Sequence, residues 1–178
     1  MQNQEPLAAQ STCIYIVGMP GSGKSTAGPL LAEFLGWRLV DLDRQIETET
    51  GCSIARFFEE KGEAAFRATE TRFLHQTAGA QRLVVVTGGG AVLQNIDWML
   101  DHGTVVWLDP PIPELVARLA DSYHERPLLA KMDSLNLPEA VETLYHERRP
   151  LYARSHHRVL HSEDLLLWGA SQGVPASR

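Results

Sequence analysis

The run Gly18-Met19-Pro20-Gly21-Ser22-Gly23-Lys24-Ser25 constrains this chain more than any other stretch. It fits the spacing G-x-x-x-x-G-K-S, follows the apolar, β-branched residues 14–17, and leads into a segment of helical period that opens at Lys24. Each part has a physical task at such a junction. The glycines let backbone N–H groups curl around phosphate oxygens with no Cβ in the way, and the helix N-terminus adds partial positive charge. Lys24 reaches β and γ phosphates as a point charge, and the Ser25 hydroxyl is placed to ligate Mg²⁺. A nucleoside triphosphate is implied. A glycine-rich turn that ended in Lys-Ser by accident would need neither the strand before it nor the helix after it.

A strand-loop-helix unit needs a sheet to sit in. Short apolar runs recur at residues 13–17, 37–40, 83–87, 104–108 and 158–160, and alternate with segments of helical period. Val84-Val85-Val86 is continuously apolar, which marks a strand covered on both faces, as in a parallel sheet between helices. The expected class is α/β, a three-layer α/β/α fold with five strands. The clearest helices are expected over residues 24–35, 62–77, 112–120 and 137–155, with a shorter one near 163–168.

Composition sets the outer limits. The chain has 178 residues, 44% of them apolar, with 16 Lys+Arg against 22 Asp+Glu for a net charge of −6. That suits one domain with one sizeable core, and an acidic balance argues against a general grip on nucleic acid or an anionic membrane. No apolar run approaches the roughly 20 residues that cross a bilayer. Two cysteines, Cys13 and Cys52, exclude a disulfide framework and fit a reducing, cytoplasmic compartment. No Cys/His spacing resembles a tetrahedral metal site, and the adjacent His156-His157 reads as solvated surface. Residues 1–11 lack the basic start and apolar stretch of a secretory signal and read as a frayed tail; 12–172 form the domain, and 173–178 read as a disordered tail. The stretch 121–134 carries Arg126-Pro127 and Lys131 between two helical patterns and is long enough for a lid. Size and surface charge suit a monomer.

In an open parallel sheet the strand ends converge on the site, so the polar groups after each strand are the candidates for holding the phosphate acceptor. Asp41-Leu42-Asp43 follows the second strand. If the strand continues, both carboxylates share a face; alternatively Asp43 is a helix N-cap for residues 44–50. Arg67 stands four residues after Glu63 and three before Glu70, a spacing that gives an ordinary surface pairing network. Thr87-Gly88-Gly89-Gly90 follows the third strand, and a plain tight turn seldom needs three glycines.

Taken together these segments resemble the shikimate kinase family. The resemblance runs through G-x-x-G-x-G-K-S-T-x-G (residues 18–28), D-x-D-x-x-I-E (41–47), G-x-S-I (51–54), G-E-x-x-F-R-x-x-E (62–70), T-G-G-G (87–90), R-P-L-L (126–129) and R-x-P-L-Y (148–152). It implies transfer of a phosphoryl group from ATP to the 3-hydroxyl of shikimate, with Mg²⁺, on a P-loop kinase fold of strand order 2-3-1-4-5 with a lid. By that resemblance Gly21, Ser22, Gly23, Lys24, Ser25 and Thr26 hold the nucleotide, Arg118 packs on adenine, and Arg126 swings from the lid onto the phosphates. Asp43 contacts the shikimate hydroxyls, Arg67 and Arg148 grip its carboxylate, and Gly88, Gly89 and Gly90 floor the pocket, with Gly89 offering a backbone hydrogen bond. Asp41 helps hold Mg²⁺ through water. The catalytic set is Lys24, Asp43 and Arg126.

The chemistry agrees, because a small carboxylate with vicinal hydroxyls is complemented by planar guanidinium donors and one carboxylate acceptor. Arg149 competes with Arg148 by adjacency. The segment after the last strand, Arg158-Val159-Leu160-His161-Ser162-Glu163-Asp164, departs from the family's usual Asp-Thr pair. A kinase of the same fold acting on another polyol acid such as gluconate would share Lys24 and Ser25 without needing Arg67, Arg148 and the glycines. A regulatory module without transfer activity would not need Lys24, Ser25, Asp43 and Arg126 together.

Overall fold

The computed structural model describes residues 13–120 and 136–172. The expected tails at 1–11 and 173–178 and the expected lid at 121–134, with Arg126 and Lys131, lie outside the described residues.

Five parallel strands form one sheet: β1 (Cys13–Val17), β2 (Arg38–Asp41), β3 (Leu83–Val86), β4 (Thr104–Leu108) and β5 (His157–Val159), in the order β2-β3-β1-β4-β5. Tyr15 sits in register with Val85 on one side and Val105 on the other, so the most apolar strands occupy the middle. Every residue of β1, β3 and β4 is buried, whereas edge strand β2 leaves Arg38 and Leu39 exposed.

Alternation along the strands divides the core between the two faces of the sheet. Ile14, Ile16, Val84, Val86, Val106 and Leu108 pack with α1 (Lys24–Leu35) and α7 (Ser162–Ser171) through Ala27, Leu31, Leu35 and Leu165. Tyr15, Val17, Val85, Val105 and Trp107 pack with the other face's helices: α2 (Leu42–Thr50), α3 (Ile54–His75), α4 (Val92–His102), α5 (Ile112–Leu119) and α6 (Leu137–Tyr152). Among the described residues, no helix is long and apolar enough to cross a membrane.

Several boundaries differ from expectation for local reasons. β2 ends at Asp41, and the Asp41 carboxylate accepts a hydrogen bond from the Arg44 N–H at 3.2 Å. Asp41 is therefore the N-cap, and Asp43 lies in the first turn of α2 rather than capping the helix or continuing the strand. α3 begins at Ile54, capped by Ser53, and is broken at Gly62, whose φ of 79° and ψ of 170° are not helical; the expected helix over 62–77 is only its second arm. α4 went unpredicted although its buried positions Val92, Asn95, Ile96 and Met99 have helical spacing. The two adjacent histidines are not simply solvated: His156 Nδ1 accepts the Val105 N–H at 3.0 Å, and His157 is half-buried against the Trp168 ring.

The helix that carries the phosphate loop lies close against β3. A Cβ at Gly28 would collide with Val86 Cγ2 and lie 3.5 Å from Ile16 Cδ1. Gly28→Ala is therefore expected to cost about 1–3 kcal/mol in urea unfolding, even though alanine is the better helix former. Unchanged or greater stability would show that α1 can move off the sheet.

Candidate active site

Because all five strands run the same way, their C-terminal ends deliver the candidate residues to one edge of the sheet: the loop at 18–23 after β1, Asp41 at the end of β2 with Asp43 just beyond it, and residues 87–90 after β3. A cleft of about 200 Å³ opens there, lined by Gly21, Gly23, Lys24, Ser25 and Thr26 on one side and by Asp43, Thr87 and Gly89 on the other.

On the loop side, Lys24 is only 7% exposed, and its Nζ donates to the carbonyls of Gly18 (2.8 Å) and Met19 (2.9 Å) and to Ser22 Oγ (3.3 Å). The ammonium thus lies within the curl of the loop, held by carbonyl dipoles. Ser25 and Thr26 are exposed in the first turn of α1, where the helix dipole favours an anion. Arg118 reaches the loop from α5: Nη1 donates to the carbonyls of Gly21 (3.4 Å) and Ser22 (3.3 Å), and Nη2 pairs with Glu114 at 2.8 Å.

On the other side the three glycines are closely enclosed, Gly88 and Gly90 by charged groups and Gly89 by Pro20. A Cβ at Gly88 would lie 2.6 Å from Glu70 Oε1 and 3.0 Å from Asp43 Oδ1, one at Gly89 would lie 2.7 Å from Pro20 Cδ, and one at Gly90 would overlap the Arg67 guanidinium. Only glycine lets α2, α3 and the phosphate loop approach this turn so closely. Arg67 is 5% exposed and Glu70 is fully buried; their ion pair measures 2.7 Å, and half-exposed Glu63 adds a contact to Arg67 Nη2 at 3.5 Å. The guanidinium also faces the Phe66 ring, 5.2 Å from its centroid. Arg67 Nε and Glu70 Oε1 are buried without a hydrogen-bond partner. From α6, Arg148, 3% exposed, donates through Nη1 to the Gly89 carbonyl at 2.9 Å, and the Tyr152 hydroxyl donates to the same oxygen.

Burial governs the protonation behaviour of this cluster. It raises the Asp43 carboxyl above the ordinary range; Asp41 and Glu47 push the same way, and Lys24 and Arg67 oppose it. Burial likewise raises Glu70, with Asp43 adding to the rise and Arg67 and Arg148 resisting it. The buried Tyr152 phenol is pushed up to about 12 and stays protonated as a donor.

Of the expected residues, Lys24, Ser25, Thr26, Asp43 and Gly89 line the cleft itself; Arg67 and Arg148 do not line it but pack behind it against Gly90 and the Gly89 carbonyl, and Arg118 lies over the loop. Of the adjacent arginines, Arg148 is buried there and Arg149 is exposed. The surface reading of Arg67 is overturned, because the guanidinium is buried and pairs with the fully buried Glu70. Asp41 is not among the residues that line the cleft, and Arg126 lies outside the described residues. Sequence reasoning gave no role to Glu70, Tyr152 or Pro20. The signal for the first two was helical spacing, since Glu70 lies one turn from Arg67 and Tyr152 one turn from Arg148.

Comparison with known proteins gives one family. The shikimate kinase family model matches residues 20–167. A shikimate kinase of Gloeobacter violaceus is 49% identical over 148 residues, covering 82% of this chain and 81% of that one. One from Persephonella marina is 46% identical over 148 residues, covering 82% and 87%. The solved structure of an Acinetobacter baumannii shikimate kinase in complex with shikimate superposes with a TM-score of 0.82 at 32% identity, covering 95% of this chain and 99% of that one.

Gly90→Ala would force the Arg67 guanidinium off its position. It is expected to weaken binding of a carboxylate acceptor by about 1–3 kcal/mol, roughly five- to 150-fold, while ATP affinity stays within about threefold. Equal acceptor affinity in titration calorimetry would show that Arg67 does not form the pocket wall.

Proposed function

The chain belongs to the shikimate kinase family, and from that premise we propose how its residues divide the transfer of a phosphoryl group from ATP to the 3-hydroxyl of shikimate. The observation that carries the reading is the convergence of two buried guanidiniums and one carboxylate on the glycine turn beside the Lys24 loop.

Backbone N–H groups of Gly21, Ser22 and Gly23, with Lys24 Nζ, take the phosphates; Lys24 exchanges the carbonyls it holds for phosphate oxygens as they enter. Thr26 lines the same end of the cleft, and Arg118, whose guanidinium lies over the loop, is assigned by its family match to the adenine. Arg126, by its match to the family's R-P-L-L motif, is assigned to the phosphate oxygens.

The oxygen donors on this edge suit magnesium, which is usually held by one or two carboxylates together with phosphate oxygens rather than by an all-protein cage. Among the described residues there is no cluster of three or more His, Cys, Asp or Glu side chains that could form such a cage. The Ser25 hydroxyl and, through water, the Asp41 carboxylate would hold the ion, which supplies charge neutralisation on the phosphates. Two free cysteines support a reducing, cytoplasmic setting.

For the acceptor, Arg67 and Arg148 bind the carboxylate, and Gly89 offers its backbone N–H. Asp43 accepts a hydrogen bond from the attacking hydroxyl, holding it in line with the γ-phosphate and receiving its proton as the P–O bond forms. Little covalent help is required of the protein, since phosphoryl transfer depends on positioning and neutralised charge.

Asp43→Asn keeps the shape and removes the acceptor charge. In a coupled ADP-release assay with shikimate, gluconate or no acceptor, wild type should respond to shikimate alone. The variant should lose about 10²–10⁴-fold in kcat while its ATP affinity stays within about threefold. Near-wild-type turnover would remove Asp43 from the mechanism.

A further inference from the structure

Glu70 is the one fully buried acid of the pocket wall, and the roles above leave it unused. Its Oε2 is committed to Arg67 at 2.7 Å, while Oε1 has no partner and comes to the same side of Gly88 as Asp43 Oδ1. The charges that face it can be enumerated: Arg67 from its own helix, Asp43 from α2, Arg148 from α6, and Tyr152, a phenol that stays neutral, also from α6. The turn at Gly88, Gly89 and Gly90 contributes no titratable side chain. Two guanidiniums therefore already face two carboxylates, with Glu63 a further, half-exposed anion on Arg67.

A bound acceptor adds a third anion to that enclosure. Its carboxylate draws on the same guanidiniums that keep Glu70 ionised, and it does so where water cannot screen the repulsion. The energy of placing that anion falls if one resident carboxylate becomes neutral. Glu70 is the candidate because it has an unpartnered oxygen to receive the proton and no solvent to stabilise its charge.

We propose that Glu70 is a positioning residue that takes up a proton from the solvent when shikimate binds, so that Arg67 is released from a resident anion to an incoming one. The proton lands on Oε1, the Arg67 contact at Oε2 becomes a bond to a neutral acid, and no other bond forms or breaks. The inference rests on the assignment of Arg67 and Arg148 to the acceptor carboxylate. Burial already lifts the Glu70 carboxyl, and the incoming anion lifts it further. Between the free and bound values the complex holds a proton that the free protein lacks. Affinity for shikimate therefore declines as pH rises through that window, by up to about tenfold per pH unit, and is level on either side.

Titration calorimetry of the full chain with shikimate, in PIPES and in imidazole buffers across a pH series, reads the proton directly. The expected result is net uptake approaching one proton per shikimate at its maximum, with a dissociation constant that rises with pH across the same window. Glu70→Gln mimics the neutral acid and should bind shikimate with no proton uptake and no such pH dependence. A merely structural role would weaken binding without altering the proton count. Infrared difference spectra of wild-type chain labelled with ¹³C-glutamate give the same answer without a variant: a protonated-carboxyl band that appears on shikimate addition and shifts with the label. Buffer-independent heats in wild type, uptake that persists in Glu70→Gln, or a band insensitive to the label would each overturn the proposal. If shikimate produces no saturable heat at all, the functional reading fails first and the inference falls with it. An Arg67→Ala chain that binds shikimate as wild type does would isolate failure of the carboxylate assignment.

Discussion

A guanidinium buried between two glutamates and pressed against a glycine is the constraint on which the pocket depends. Arg67 cannot leave the interior without stranding Glu70, and removing one member of a buried pair costs about 3–5 kcal/mol. That penalty fixes the second arm of α3 against the turn after β3. It also sets the residues that the turn can carry, because a Cβ at Gly88 would meet Glu70 and Asp43 and one at Gly90 would meet Arg67. The glycines, the arginine and the two acids are thus one device, in which the turn's lack of side chains is what allows charged groups from α2 and α3 to meet. From the far side Arg148 and Tyr152 pin the Gly89 carbonyl.

The parallel sheet supplies the second half of the arrangement. Its all-apolar central strands need helices on both faces, and every crossover returns the chain so that the next strand ends at the same edge. The phosphate loop follows β1 at the centre, and the acceptor wall follows β2 and β3 beside it. Lys24 faces the same economy as Arg67: a nearly buried cation is held by carbonyl oxygens of its own loop, which a phosphate can replace. The nucleotide and acceptor sides share a principle, in that each buried cation is kept in place by oxygens of the protein itself.

The sequence carried the fold well where composition and period agree. The five apolar runs became the five strands within about one residue, and the loop at 18–25 fell between strand and helix as its chemistry requires. Misplacements arose where two local signals compete. Asp41 and Asp43 are both good N-caps and both compatible with a strand end, and only the observed bond to the Arg44 N–H decides between them. Gly62 reads as a helix start and does mark the break before the second arm of α3; what the local signal misses is the first arm, which begins at Ile54. α4 has the correct spacing but opens two residues after three glycines, whose conformational freedom reads locally as loop.

Legibility of the site followed the range of the contacts. Lys24 and Ser25 are defined by neighbours in sequence, whereas Arg67 and Arg148 are singled out by the family resemblance and not by any local pattern. Burial of Arg67 is a tertiary fact, and its spacing to Glu63 and Glu70 looks the same on an exposed helix. Glu70 reads as an ordinary surface partner of Arg67 for that reason, since nothing local separates a buried partner from a surface one.

Recognition of the acceptor acid by Arg67 is tested most directly with shikimate and its carboxamide analogue, titrated into wild type and into Arg67→Ala. The account predicts that wild type strongly prefers the acid and that the variant's preference shrinks by at least about tenfold, a coupling of about 1.4 kcal/mol or more. The same preference for acid over amide in both proteins would contradict it.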